Sequence, residues 1–348
     1  MTPKRLDEIL DHIPRLKIAV VGDYFLDKYL ITDPTLDEPS IETGLTARQV
    51  VEIRKIPGAA GTVTNNLTAL GVGRVDAVGF IGNDGQGFEL LQGLTATGVD
   101  VSGLIQLKDR FTPTYIKPMV KTTNGEVELE RIDIKNRFTT SKEIEHILVD
   151  ALWSRLHPNM VHDPVNAVII ADQISEKNCG VITEHMQAVL GDMATKQPQV
   201  VFFADSRLHI GEFSNVIIKP NKFEAAHAIS NTHHGDVSLD QAKAFGRLLA
   251  ARNGKTVFVT VGDEGILACT PTEVSHIPAF PAQGPVDIVG AGDSTSAGIV
   301  CALCAGASPA EAAFIGNLCA NVTIHKLGTT GTATPMELRA KLATELNH

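Results

Sequence analysis

Gly290, Ala291, Gly292 and Asp293 set three small residues directly before a carboxylate. The run that follows, STSAGIVCALCAG, is small and apolar throughout and reads as a helix. The small residues then fall at a helix N-terminus, where unpaired N–H groups and the positive end of the dipole attract an anion. Asp293 cannot bind the same anion, because two negative charges repel. It suits the removal of a proton from a hydroxyl attacking at that spot. Phosphoryl transfer needs both parts, donors for the charge on the transferring group and a carboxylate that aligns the nucleophile. The plainer reading is a tight strand-to-helix turn followed by a first-turn acid that gains from the dipole.

Such a turn needs a sheet to hold it. The runs KIAVVGD, VDAVGFIG, NAVIIAD, VVFFAD, NVIIKP and TVFVTVGD each read as a buried strand, and helical patterns alternate with them. This predicts an α/β fold with a mostly parallel central sheet flanked by helices on both faces. Residues 27–57 and 111–135 break the rhythm with polar, period-two stretches. They suit a small antiparallel sheet, read as one β lid over a core of residues 1–26, 58–110 and 136–348. Leu6, Ile9, Leu10 and Ile13 recur at helical spacing, and Ser308 with Glu311 forms a capping box for a late helix that Gly328 would stop.

Composition narrows the function. The 348 residues carry a net charge of −10, which disfavours nucleic acid and anionic membranes. The apolar run after the first helical pattern is too short for a signal peptide core or a membrane span, so a cytoplasmic protein is expected. Five cysteines, an odd count, point to free thiols. Cys301 and Cys304 form a CxxC in an Ala-rich apolar stretch that suits core packing, and His233-His234 offers no metal spacing. No G-x-G-x-x-G follows the first strand, and the one GK[ST], at Gly254, lacks the earlier Gly of a P-loop.

DIVGAGDSTSAG resembles the D-T-x-G-A-G-D signature of the ribokinase-like (PfkB) carbohydrate kinases. PGAAGTVTNNLTALG, FIGNDGQGFELLQGLTATGVD, KPNKFEA and VTVGDEG are similar to further family motifs, in the family's order. VVGDYFLDKYL, ERID and the closing NVTIHKLGTTGTATPMEL are most similar to the heptose-7-phosphate kinase domains of that family. The resemblance implies a kinase that uses ATP and Mg²⁺ on a sugar or sugar phosphate, with Asp293 as base and Gly290-Ala291-Gly292 as anion hole. It implies acceptor contacts from Asp23, the Gly58–Ala59–Thr62 turn and Arg131. It implies ATP contacts from Thr260, Gly262, Gly265 and Asn317, Mg²⁺ held through water by Asn221 and Glu224, and a monovalent cation such as K⁺ beside Asp287.

Each of these residues also has a reading of its own. Asp23 ends the first strand, where open α/β sheets place ligand groups, or is only a turn former. Glu224 could simply favour a helix dipole, Asn317 could be packing or capping, and Arg131 could pair with Asp133 or Glu130. Departures from the family pattern fall at Ala59, Thr62 and Ile288, and residues 37–48 differ from the heptose-kinase lid. A ribokinase, fructokinase or nucleoside kinase, or a sensor of the same fold without catalysis, therefore stays open. The lid's exposed face suggests a homodimer.

Overall fold

In the computed structural model, residues 1–122, 125–157, 163–230, 235–328 and 330–346 are described; His233 and His234 lie outside the described residues. Strands and helices are numbered in chain order. Nine strands form the central sheet. In spatial order they are β16 (Val274–Ile277), β15 (Ile266–Cys269), β14 (Val257–Thr260), β13 (Ile217–Ile218), β12 (Val201–Ser206), β11 (Ala167–Asp172), β1 (Lys17–Gly22), β6 (Arg74–Gly82) and β7 (Asp100–Leu107). Every pairing from β14 to β7 is parallel, and β15 alone runs against the others, pairing antiparallel with both β14 and β16.

Successive residues of a strand point to opposite faces, so each central strand feeds two cores. Ile18, Val20, Ile169, Phe203 and Phe258 pack with α1 (Pro3–Leu10), α2 (Ala60–Ala69), α8 (Ala291–Cys304), α9 (Pro309–Ile324) and α10 (Pro335–Leu346). Leu90 and Leu94 of α3 (Gly85–Ala96) join that core. Ala19, Val21, Val168, Phe202 and Val257 pack with α4 (Lys142–Leu156), α5 (Glu184–Lys196), α6 (Lys222–Ile229) and α7 (Leu239–Asn253). Both faces are covered, as the near-continuous apolar strands require.

The second sheet has the order β10 (Ile132–Ile134), β8 (Thr114–Thr122), β2 (Tyr24–Thr32) and β5 (Val50–Ala59), with β9 (Gly125–Glu128) paired to β8. A small ribbon of β3 (Glu38–Pro39) and β4 (Thr46–Ala47) stands apart. Three of the second sheet's pairings are antiparallel, as the sequence suggests, while β2 and β8 pair in parallel. Both strands leave the core in the same direction, β2 after β1 and β8 after β7, which fixes that pairing.

The capping box of Ser308 and Glu311 starts α9 as expected. The helix ends at Ile324, before Gly328, where the Ile324 carbonyl accepts the Asp287 N–H at 2.8 Å. Cys301 is buried and Cys304 half-buried, both as free thiols in the α8 core. Among the described residues no helix is long and apolar enough to cross a membrane.

Where β5 runs into α2, Ala59 takes φ 53° and ψ −118°, a region that favours glycine. Strain of about 1–3 kcal/mol there outweighs the roughly 0.5–1 kcal/mol of unfolded-state freedom that a glycine adds. Ala59→Gly is therefore expected to raise the melting temperature by about 2 °C. A calorimetric scan showing an unchanged or lower temperature would contradict the strain.

Candidate active site

The end of the parallel sheet where β12, β13 and β14 finish also receives the N-terminus of α8. Gly290 is the N-cap, at φ 80°, and a Cβ on it would lie 2.5 Å from the Thr330 methyl. Asp287 shapes the approach by accepting the Val289 N–H at 3.0 Å. The Ala291 N–H turns back to the Ile288 carbonyl at 3.2 Å. Among the described residues no acceptor meets the N–H groups of Gly292 and Asp293. The Gly290 N–H is open in the same way, so two of the three amides of the contiguous motif are free donors and Asp293 adds a third.

Below Gly292 lies a group that sequence reasoning missed. Lys219, directly after β13, is 4% exposed, and its Nζ is 3.7 Å from where a Gly292 Cβ would stand. The ammonium pairs with Asp205 at 2.9 Å, and Ser296 of α8 donates to the same Asp205 oxygen at 3.0 Å. Burial lowers a lysine pKa, but the carboxylates of Asp205, Glu224 and Asp293 raise it, and the net shift is upward. Lys219 is therefore a fixed cation under the helix terminus.

Asp293 keeps part of its surface open to the cleft, yet its carboxyl is ringed by protein. Burial first, then repulsion from Asp205 and Asp27, pushes its pKa up to about 7, against the pull of Lys219. A carboxyl poised near neutrality matches a general base. Glu224 is likewise pushed up to about 7, by burial and then by Asp205.

Thr62 of α2 reaches the same place, with its methyl 3.6 Å from a Gly290 Cβ. Asp27 of β2 was also missed. Its charge is felt by Asp293, and a Cβ on Gly58 would come within 2.6 Å of its Oδ2, so Gly58 is bare to admit this carboxylate. Lys117 lies 3.6 Å from Asp27 and donates to the Tyr29 hydroxyl at 3.2 Å. Arg131 is held by both Asp133 oxygens, at 2.6 and 2.9 Å, and stacks 4.2 Å over Tyr115. The pairing with Asp133 weighed from sequence is present. Asp27 had a signal in the repeated acid of VVGDYFLDKYL, Asp205 in its strand-end position, and Lys219 in KPNKFEA.

Asp23 has a different task from the one expected. It is 2% exposed, and it accepts the N–H groups of Gln173 (2.9 Å), Ile174 (3.1 Å) and Val181 (2.8 Å). Its carboxylate anchors the loop after β11 because three backbone donors converge on it. Asn317 donates to the Ile277 and Pro278 carbonyls at 2.9 and 3.1 Å, so it fixes the segment after β16. Asn221 and Glu224 form a capping box on α6: Asn221 Oδ1 accepts two N–H groups while Glu224 accepts the Asn221 N–H. Thr260 ends β14, and Gly262 and Gly265 take φ 67° and 103° in the turn beyond it. Gly265 is obligatory there, since a Cβ would sit 2.2 Å from the Ile277 carbonyl.

A covered parallel sheet, a β lid and a helix terminus flanked by acid and lysine define a ribokinase-like phosphotransferase. The fold is shared with phosphofructokinase-2 from Escherichia coli in complex with potassium, at TM-score 0.74 and 17% identity over 96% of this chain and 99% of that one. It is shared also with ribokinase from Thermotoga maritima, at TM-score 0.65 and 19% identity over 94% and 99%. Residues 17–336 match the pfkB family carbohydrate kinases, and the chain belongs to that family of sugar phosphotransferases. "Bifunctional protein HldE" from Geobacter sulfurreducens is 29% identical over 98% of this chain, and that from Trichlorobacter lovleyi 30% identical over 99%. The chain spans 66% of the length of each of these relatives.

The electrostatics fix the sign of two pH shifts. With Asp293 as the general base proposed below, its deprotonated form is the active one, and kcat/KM for phosphoryl transfer is expected to rise with pH through about 7. Asp205→Asn removes a repelling carboxylate and moves that limb to lower pH. Lys219→Met removes an attracting cation and moves it higher. Rate profiles of the two variants that shift in the same direction would show that Asp293 does not carry the limb.

Proposed function

We propose that the protein transfers the γ-phosphoryl group of ATP to a hydroxyl of a phosphorylated sugar, with a heptose 7-phosphate as the favoured acceptor. The observation that carries this reading is the α8 terminus, where open Gly292 and Asp293 amides, buried Lys219 and a near-neutral Asp293 carboxyl converge. Asp293 takes the proton from the attacking hydroxyl. The amides and Lys219 stabilise negative charge on the transferring group. Asp27 is a candidate hydrogen-bond acceptor for sugar hydroxyls beside the Gly58–Thr62 turn, and Arg131 and Lys117 on the lid suit an acceptor phosphate. The 29–30% identity to the HldE proteins and the heptose-kinase-like motifs at both ends of the chain support the sugar.

Nucleotide would lie along Thr260, Gly262 and Gly265, beside the wall that Asn317 holds. Burial, and after it the charge of Asp205, raises the Glu224 pKa, and two such oxygen donors fit a hard divalent cation. They would hold Mg²⁺, which neutralises phosphate charge when bound. Asn221, with Oδ1 committed to the cap, supports Glu224 rather than the ion. A monovalent cation beside Asp287 and pairing of two copies through the lid, where Ile53, Val127 and Ile132 are exposed, belong to the same reading. An ATP-dependent kinase of this kind works in the cytoplasm.

ADP release from Mg·ATP should be measured across free and phosphorylated hexoses, pentoses and heptoses. Turnover is expected with a sugar phosphate, and Asp293→Asn is expected to cut it about 10²–10⁴-fold while ATP still binds. Activity confined to free sugars would overturn the acceptor class, and full activity in the variant would overturn the mechanism.

A further inference from the structure

We propose that Glu89 is a positioning residue that latches the lid to the core and so sets the placement of Asp27. Lys28 of β2 and Lys55 of β5 stand directly opposite one another in the antiparallel register, on the face turned toward α3. Two lysines so paired repel. Glu89 of α3 answers both, with one carboxylate oxygen 2.8 Å from the Lys28 Nζ and the other 3.6 Å from the Lys55 Nζ. The Lys28 and Glu89 side chains are only 19% and 21% exposed, so solvent screens this bridge less than a surface pair.

The bridge acts where movement would matter. Two residues beyond Lys55, Pro57 packs so closely on α3 that a Cβ on Gly93 would be 2.9 Å from its ring. Asp27, next to Lys28, points to the opposite face of the same strand, toward Gly58 and the cleft. A tilt of β2 and β5 about the Pro57 contact therefore moves Asp27 relative to Asp293. The bridge is the charged tie from α3 that resists that tilt. The effect on the acceptor rests on the kinase reading above; the latch itself does not.

Glu89→Gln leaves the two lysines opposed without a counter-charge. Hydrogen exchange read by mass spectrometry should quicken severalfold in peptides spanning residues 24–32 and 50–59, with no change in residues 167–172. The acceptor KM should rise roughly three- to tenfold, with kcat and the ATP KM little altered. The double variant Glu89→Gln/Lys55→Gln, which removes the repulsion, should recover most of both effects; a lost packing contact would not be recovered. Unchanged exchange overturns the latch, and faster exchange with an unchanged acceptor KM overturns its role in placing Asp27. If wild-type protein turns over no acceptor, the kinase reading fails, and the exchange data alone decide the latch.

Discussion

The ion pair of Lys219 and Asp205 is the constraint around which the site is arranged. A lysine this buried needs a charged partner, and breaking such a pair costs about 3–5 kcal/mol because the other charge is stranded. Both residues fall at strand ends, Asp205 in β12 and Lys219 just after β13, and these strands are parallel neighbours. Their meeting is thus a product of sheet order. Around this one lysine stand three carboxylates, Asp205, Glu224 and Asp293. One buried cation cannot satisfy all three. Burial first, and then the residual negative charge of Asp205, raises the Glu224 and Asp293 pKa values, and that excess charge makes the cleft receptive to an added cation.

The same end of the central sheet ties the second sheet to the site. β1 and β2 are separated only by Asp23, whose carboxylate collects three N–H groups from the loop after β11. The start of the lid is therefore fixed to the neighbouring strand's loop before it leaves the core. β5 returns and passes without a break into α2, which delivers Thr62 to the α8 terminus. The lid and the helix terminus share a short, stiff path of backbone.

What could be read from the sequence was what is local along the chain. The α8 terminus and Asp293 are contiguous, so one motif exposed them, and the alternation of apolar strands with helices gave the layered fold. Asp23 and Asp27 are both acids beside one apolar run. Only donors 150 or more residues away reveal that Asp23 is consumed by a loop, while Asp27 faces the cleft. Lys219 and Asp205 were hidden for a related reason: their partnership depends on which strands lie side by side. The turn of the Ala291 amide back to the Ile288 carbonyl is a detail of local geometry that composition does not encode. The parallel pairing of β2 and β8 likewise follows from exit direction and not from the period-two pattern.

The groups around the cleft come from two separate stretches of chain. Asp27, Gly58 and Thr62, with the lid's Lys117 and Arg131, lie before residue 135, whereas Asp205, Lys219, Glu224 and Asp293 all follow residue 200. The first stretch can therefore be reworked without disturbing the Lys219–Asp205 pair that the second stretch builds. Ala59 and Thr62 stand at the junction of the two, where one turn of backbone brings the second sheet against the α8 terminus.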